Sequence, residues 1–293
     1  MLLPNLDVRL ERKIIDLYEQ HKIRAANIDW SYHEFVPWEL GRSFKEIPWS
    51  IEQRSLPPAV CIAIETALLT EVNLPWFTTY LSSTFTGSLN VLQEFIHTWV
   101  AEEDQHSNLL ETYLLLTRNA DPKQLHQLRK TVVESGFESK FTTPLEAITY
   151  ASFQELATLV FYTNVAKVAA PYDETLAVLL RRLAKDESLH YSFYRDVVQA
   201  HLELEPNYLM FVAPVLLGFF MPGNNIPDYE ERMKVIAKDV GYGPSHYYKQ
   251  VVMKLVEFWG IRELRPTTVE AEKARLDILK YCDRLERVTR RLG

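Results

Sequence analysis

Apolar residues recur at helical spacing through residues 57–86, 89–118, 122–136, 143–169 and 172–202, and no alternating strand pattern of useful length interrupts them. Each stretch exceeds the 10–12 residues that separate a helix from a buried strand, so the pattern predicts an all-α chain. Gly87 and Pro171, residue types that break helices, fall between the first and second stretches and between the fourth and fifth. The middle of the chain therefore reads as two helical hairpins.

The polar residues that interrupt these apolar stretches are themselves patterned. Glu71, Glu103 and His106 recur as Glu155, Glu187 and His190, each member displaced by 84 residues. In each copy a lone Glu precedes a Glu-x-x-His by 32 residues, with the hairpin bend at the midpoint. Sixteen residues of helix rise about 24 Å on either side of such a bend, so antiparallel legs bring Glu71 level with Glu103, and Glu155 level with Glu187. Residues three apart share a helix face, so each Glu and His of a pair point the same way. Two hairpins packed face to face converge four carboxylates and two imidazoles in a four-helix bundle. This is the ligand set of a carboxylate-bridged di-iron or di-manganese site. A single Glu-x-x-His is more often a solvated helix face, but two matched copies amid Phe95, Ile96, Trp99, Leu109 and Leu110 would leave buried carboxylates without counter-charge unless cations were present.

Composition changes this picture little. Nine glycines and no Gly/Ser/Pro-rich linker in 293 residues suit one helical domain, with the bundle over about 57–202 and a helical extension over about 207–293. Cys61 and Cys282 lie far apart, which speaks against a disulfide framework and is compatible with a reducing cytoplasm. Residues 8–20 are amphipathic and charged rather than signal-like, and the apolar run 209–221 is interrupted by Pro214 and too short to span a bilayer. A cytoplasmic protein is expected. The net charge of -7 argues against nucleic acid as a general partner. The basic stretch around Arg284, Arg287, Arg290 and Arg291 suits either an acidic protein partner or a solvated helix end.

The segments around the ligands, 99–106 (WVAEEDQH), 152–158 (SFQELAT), 186–190 (DESLH) and 70–75 (TEVNLP), resemble those of the acyl-carrier-protein desaturases, a family of ferritin-like di-iron enzymes. Residues 30–37 (WSYHEFVP) and 255–264 (LVEFWGIREL) are similar to that family's N-terminal and C-terminal stretches, so the resemblance runs from about Asn27 to the end.

The resemblance implies a ferritin-like four-helix bundle binding two iron ions through Glu71, Glu103, His106, Glu155, Glu187 and His190, with Glu103 and Glu187 bridging. It implies that Thr158 places a hydroxyl beside the cluster, and that Trp30, Asp186 and His106 form an electron path from the surface. Leu74 stands at the position equivalent to Thr158 in the first repeat, so that role is one-sided. Asp186 and Glu102 are placed to take the outer N–H of iron-bound imidazoles. Thr78, Tyr80, Ser83 and Thr84 are candidates for the wall of an acyl tunnel, with most of them expected to be ordinary packing. The implied activity is O2-dependent insertion of a cis double bond into an acyl chain carried on acyl carrier protein, with electrons from a ferredoxin-type donor, by a homodimer. Gln105 stands where the family has a basic residue, and the family's carrier-docking residues do not align. A di-iron hydroxylase or oxygenase, or a noncatalytic carrier-binding relative, therefore remains a competing reading.

Overall fold

The computed structural model describes residues 5–223 and 225–292, and all regular structure among them is helical. After an N-terminal helix α1 (Glu11–Ala26) and a loop with three short 3-10 turns, α2 (Pro58–Glu71) and α3 (Leu74–Phe85) form the first leg of the bundle. The apolar periodicity runs unbroken through 57–86, yet the helix breaks after Glu71 and its halves meet at a 40° bend. Pro75 is the cause: it has no N–H to offer the Glu71 carbonyl, and its ring would collide with that carbonyl in a continuous helix. Glu71 is thus the last residue of α2, at the bend.

The chain reverses at Gly87, whose φ of +77° requires the left-handed region, and returns as α4 (Asn90–Leu116). A peripheral α5 (Pro122–Ser135), capped by Asp121, leads to the second hairpin, α6 (Pro144–Ala169) and α7 (Glu174–Leu204). Thr143 and Glu146 form a capping box at the start of α6, and the Asp173 side chain accepts from Leu176 N at the start of α7. Tyr113 of α4 donates to the other Asp173 oxygen at 2.6 Å, joining the end of the first hairpin to the turn of the second.

The long antiparallel α6 and α7 make the most extensive helix contact, while α2 and α3 pack along α4. Outside this bundle, α1 lies across α4 and α7. The remaining helices are α8 (Leu209–Gly218), α9 (Tyr229–Asp239), a short α10 (Pro244–Tyr247) running through a π-turn into α11 (Met253–Phe258), and α12 (Val269–Leu292). Helix α8 packs on α6 and α12, and α9 packs on α2. The buried Trp259 indole donates to the Arg195 carbonyl at 3.1 Å, pinning this C-terminal part to α7. No single helix among the described residues is long and apolar enough to cross a membrane.

Phe95 of α4 is fully buried, stacks on Phe193 of α7 with ring centroids 3.7 Å apart, and meets His21 of α1 edge-on at 5.1 Å. It is the joint of three helices. Phe95→Ala is expected to lower stability by about 3–5 kcal/mol in urea unfolding, and a loss below about 1 kcal/mol would show that the joint closes over the cavity.

Candidate metal centre

All six predicted ligands come together at the centre of the bundle. The donor atoms of Glu71, Glu103 and His106 lie within 4.8 Å of one another, as do those of Glu103, Glu155, Glu187 and His190. Glu103 belongs to both groups: one oxygen is 2.9 Å from His106 Nδ1 and the other 2.7 Å from His190 Nδ1. Glu187, grouped with His190, also approaches His106 Nδ1 at 3.5 Å. These two glutamates span the halves of the site, whereas Glu71 and Glu155 sit one on each side.

Both imidazoles present Nδ1 inward and have Nε2 engaged outward. His106 Nε2 lies 3.3 Å from Asp186 Oδ2, and His190 Nε2 lies 2.8 Å from Glu102 Oε2. Asp186 and Glu102 are themselves 84 residues apart, so the repeat extends one residue beyond the ligands, and each outer carboxylate serves the histidine of the other repeat. Behind each carboxylate stands an aromatic N–H group from the N-terminal segment. Trp30 Nε1 donates to Asp186 Oδ2 at 2.7 Å, and His21 Nε2 lies 3.0 Å from Glu102 Oε2. Their rings are near-parallel to those of the inner histidines, Trp30 to His106 at 6.4 Å and His21 to His190 at 6.0 Å. Gln105 accepts the backbone N–H of Tyr32 at 3.1 Å, which fastens the Trp30 loop to α4.

Whether this set suits cations can be read from its unsatisfied atoms. The Nδ1 atoms of His106 and His190 face the Glu103 oxygens at 2.9 and 2.7 Å without hydrogen-bond geometry, and one carboxylate oxygen each of Glu103 and Glu155 is likewise buried without a hydrogen bond. Buried polar groups are rarely orphaned, least of all four together and facing one another. Carboxylate oxygens and imidazole nitrogens in this arrangement fit a pair of divalent transition-metal ions.

Two cavities open beside the cluster. One is lined by Asn73, Leu74, Phe77, Trp99, Phe137 and Pro222. The other is lined by Ala67, Phe161, Met221, Tyr229, Met233 and Tyr242. They share Thr70, Glu71 and Thr158, so they adjoin at the cluster, which stands at the elbow between them. Tyr162, also on this wall, donates its hydroxyl to Glu71. The Thr158 hydroxyl bonds the Gln154 carbonyl of its own helix at 3.0 Å while its side chain borders the elbow. Thr78, Tyr80, Ser83 and Thr84 line neither cavity. Leu74 and Phe77 are the α3 residues that line the first cavity, whereas the Thr78 hydroxyl bonds the Leu74 carbonyl, the Tyr80 hydroxyl bonds the Phe141 carbonyl, and Ser83 is exposed.

Residues 6–293 match the fatty acid desaturase family. The chain belongs to this family. It is 31% identical to a Mycobacterium tuberculosis protein provisionally named acyl-[acyl-carrier-protein] desaturase DesA1, over 96% of this chain and 88% of that one. It is 27% identical to palmitoyl-[acyl-carrier-protein] 4-desaturase 3 of Ophrys sphegodes, over 92% and 72% of the two chains. The X-ray structure of a second Mycobacterium tuberculosis H37Rv protein, provisionally named acyl-ACP desaturase DesA2, has the same fold, with a TM-score of 0.68 at 22% identity over 90% of this chain and 97% of that one.

In this desaturase-family chain the electrostatics of the metal-free site follow from crowding like charges in a buried space. Burial and the neighbouring Glu103 push Glu71 and Glu155 up to about 7, and the same causes hold Glu187 well above the usual carboxylate range. Burial alone would raise Glu103 too, but the charges of His106 and His190 outweigh it and hold it low. Burial opposes protonation of His106, yet Glu103 and Asp186 lift it to about 10; His190 is raised likewise by Glu103 and Glu102. Glu102, despite burial, is held at about 2 by hydrogen bonds to His190 and His21.

These shifts fix the sign of a pH dependence. Glu71, Glu155, Glu187 and both histidines bind protons more tightly folded than unfolded, so metal-free stability falls as pH rises from the unfolded values of 4.5 and 6.5 through about 7 and then about 10. The depressed Glu102 and Glu103 act in the opposite sense only below about 4.5. Denaturant unfolding of metal-free protein is expected to show a steady loss of stability from pH 6 to 9, with metal binding releasing protons and tightening over the same range. A flat profile would contradict the assignment.

Proposed function

We propose that the chain is an O2-dependent acyl-carrier-protein desaturase that binds two irons through the six ligands and introduces a cis double bond into a carrier-bound acyl chain. What carries this reading is the conjunction of buried, inward-facing carboxylate and imidazole donors with two cavities that adjoin beside them. The family membership and the names of its relatives support the substrate class.

When bound, the iron pair supplies, with O2 and two electrons from a ferredoxin-type donor, the oxidising power needed to take two hydrogens from unactivated methylenes. No side chain could remove them as a base. The balance is one acyl methylene pair, O2, two electrons and two protons giving one double bond and two waters. The protein's part is to position the chain. The arm lined by Ala67, Phe161, Met221 and Met233 takes the methyl end. The bend at Thr70, Glu71 and Thr158 holds the reacting carbons in the folded-back shape that yields a cis product. The arm past Asn73, Phe137 and Pro222 leads the thioester end outward to the carrier. Thr158 offers its hydroxyl at the bend. Trp30 and Asp186 form a hydrogen-bonded line from the surface groove to His106, the route assigned to the incoming electrons.

The test is a single turnover of iron-loaded, chemically reduced protein with O2 and a series of acyl-carrier-protein thioesters, read by mass spectrometry. A product two mass units lighter, lost in Glu103→Ala, is expected; a gain of one oxygen would assign hydroxylation, and no product from a fully loaded site would assign a noncatalytic role. Asp186→Ala leaves the six ligands in place but frees the outer nitrogen of His106, and is expected to lower iron affinity or turnover by about 10- to 100-fold. An unchanged rate and affinity would remove Asp186 from the mechanism.

A further inference from the structure

The two outer carboxylates are alike by repeat and by the histidines they hold, but among the described residues only Asp186 is also paired with an arginine. The Arg182 guanidinium, on a side chain only 8% exposed, pairs through Nη2 with Asp186 Oδ1. The same guanidinium lies 5.4 Å from the centre of the Trp30 ring. In the first repeat the equivalent position is Thr98, whose hydroxyl bonds Tyr18 at 2.7 Å, so Glu102 has no counterpart of this charge. Asp186 is consequently shared by three donors: the Trp30 indole, the His106 imidazole and the arginine. The Arg182 Nε is buried without a partner. Its side chain is therefore held for its charge and its fork rather than for complete hydrogen bonding.

We propose that Arg182 is a positioning residue that keeps Trp30 from being oxidised, so that the Trp30, Asp186, His106 line passes electrons inward without letting an oxidising equivalent escape outward. This rests on the reading of the six ligands as an iron site. The escape reaction would remove one electron from the indole to the oxidised metal pair, while the indole N–H proton passes to Asp186 along the existing 2.7 Å hydrogen bond. Two effects of Arg182 oppose it. A guanidinium over an indole face stabilises the neutral ring and disfavours its cation radical. Pairing with Asp186 also offsets the negative charge which that carboxylate presents to Trp30 and to His106. Removing the charge should expose both Trp30 and His106 to an uncompensated anion. The indole then becomes easier to oxidise and the metal pair harder to reduce.

The experiment compares native protein with Arg182→Gln and Arg182→Met, which are neutral, and Arg182→Lys, which keeps the charge; two neutral variants guard against one failing to fold. Helix content and iron uptake are measured first. The readouts are the midpoint potential of the metal pair, and the electron paramagnetic resonance spectrum after reduced protein is mixed with O2 without acyl substrate. The neutral variants are expected to shift the potential negative and to show an indole radical that is absent from the native protein, from Arg182→Lys and from the Arg182→Gln, Trp30→Phe double variant. Two irons taken up with native potential and no radical in the neutral variants would overturn the proposal and leave the iron site standing. An equal potential shift in Arg182→Lys would overturn it as a mere packing effect. A native protein that takes up no iron pair would overturn the parent reading and this one with it.

Discussion

Four carboxylates facing one another inside a helical bundle are the constraint on which the rest of the structure depends. At an effective dielectric of about 20, two like charges 4 Å apart repel by about 4 kcal/mol, and Glu71, Glu103, Glu155 and Glu187 form several such pairs. Metal-free protein meets the problem by taking up protons, which is why three of these glutamates are raised and both histidines are held protonated. A pair of divalent cations would meet it without protons, held by the inward-facing Nδ1 and carboxylate atoms. The outer carboxylates Asp186 and Glu102 belong to the same solution, since each orients an imidazole so that Nδ1 faces the centre.

The repeat explains what is symmetric in the site, and its breaches coincide with chemistry that needs only one side. Both halves supply a Glu, a Glu-x-x-His and an outer carboxylate at the same offset. Pro75, opposed by Leu159 in the second repeat, bends only the first hairpin, and the two cavities adjoin at Glu71, the residue at that bend. Thr158, opposed by Leu74, puts a hydroxyl on one side of the elbow. Arg182, opposed by Thr98, charges one outer carboxylate. In the proposed reaction an acyl chain would lie on one side of a metal pair and electrons would arrive on another, so the one-sided parts of that chemistry fall where the two hairpins diverge.

The convergence of the six candidate ligands was legible because a spacing of 84 residues repeated three times is a strong signal, and because helix faces follow directly from i, i+3 spacing. The hairpin bends were legible from Gly87 and Pro171 for the same local reason. The break after Glu71 was within reach, since Pro75 sits four residues beyond it, but the apolar periodicity continues across the break and masked it. A 40° bend also moves residues a turn or two away off the face a straight helix would present, and Thr78, Tyr80, Ser83 and Thr84 line neither cavity. His21 and Arg182 carried no sequence signal: their partners lie 81 residues away on another helix and one turn away on a crowded one, and only packing selects them from the chain's other basic residues. The extension of the repeat to Glu102 and Asp186 was present in the numbering itself.

The account stands on the claim that the six ligands hold two ions in one coupled centre. Anaerobic titration of metal-free protein with 57Fe(II), followed by oxidation and Mössbauer spectroscopy, tests this most directly. The result in keeping with the account is saturation at two irons per chain and, after oxidation, a diamagnetic ground state from two antiferromagnetically coupled ferric ions. Saturation at one iron, or two ions that remain magnetically independent, would contradict it.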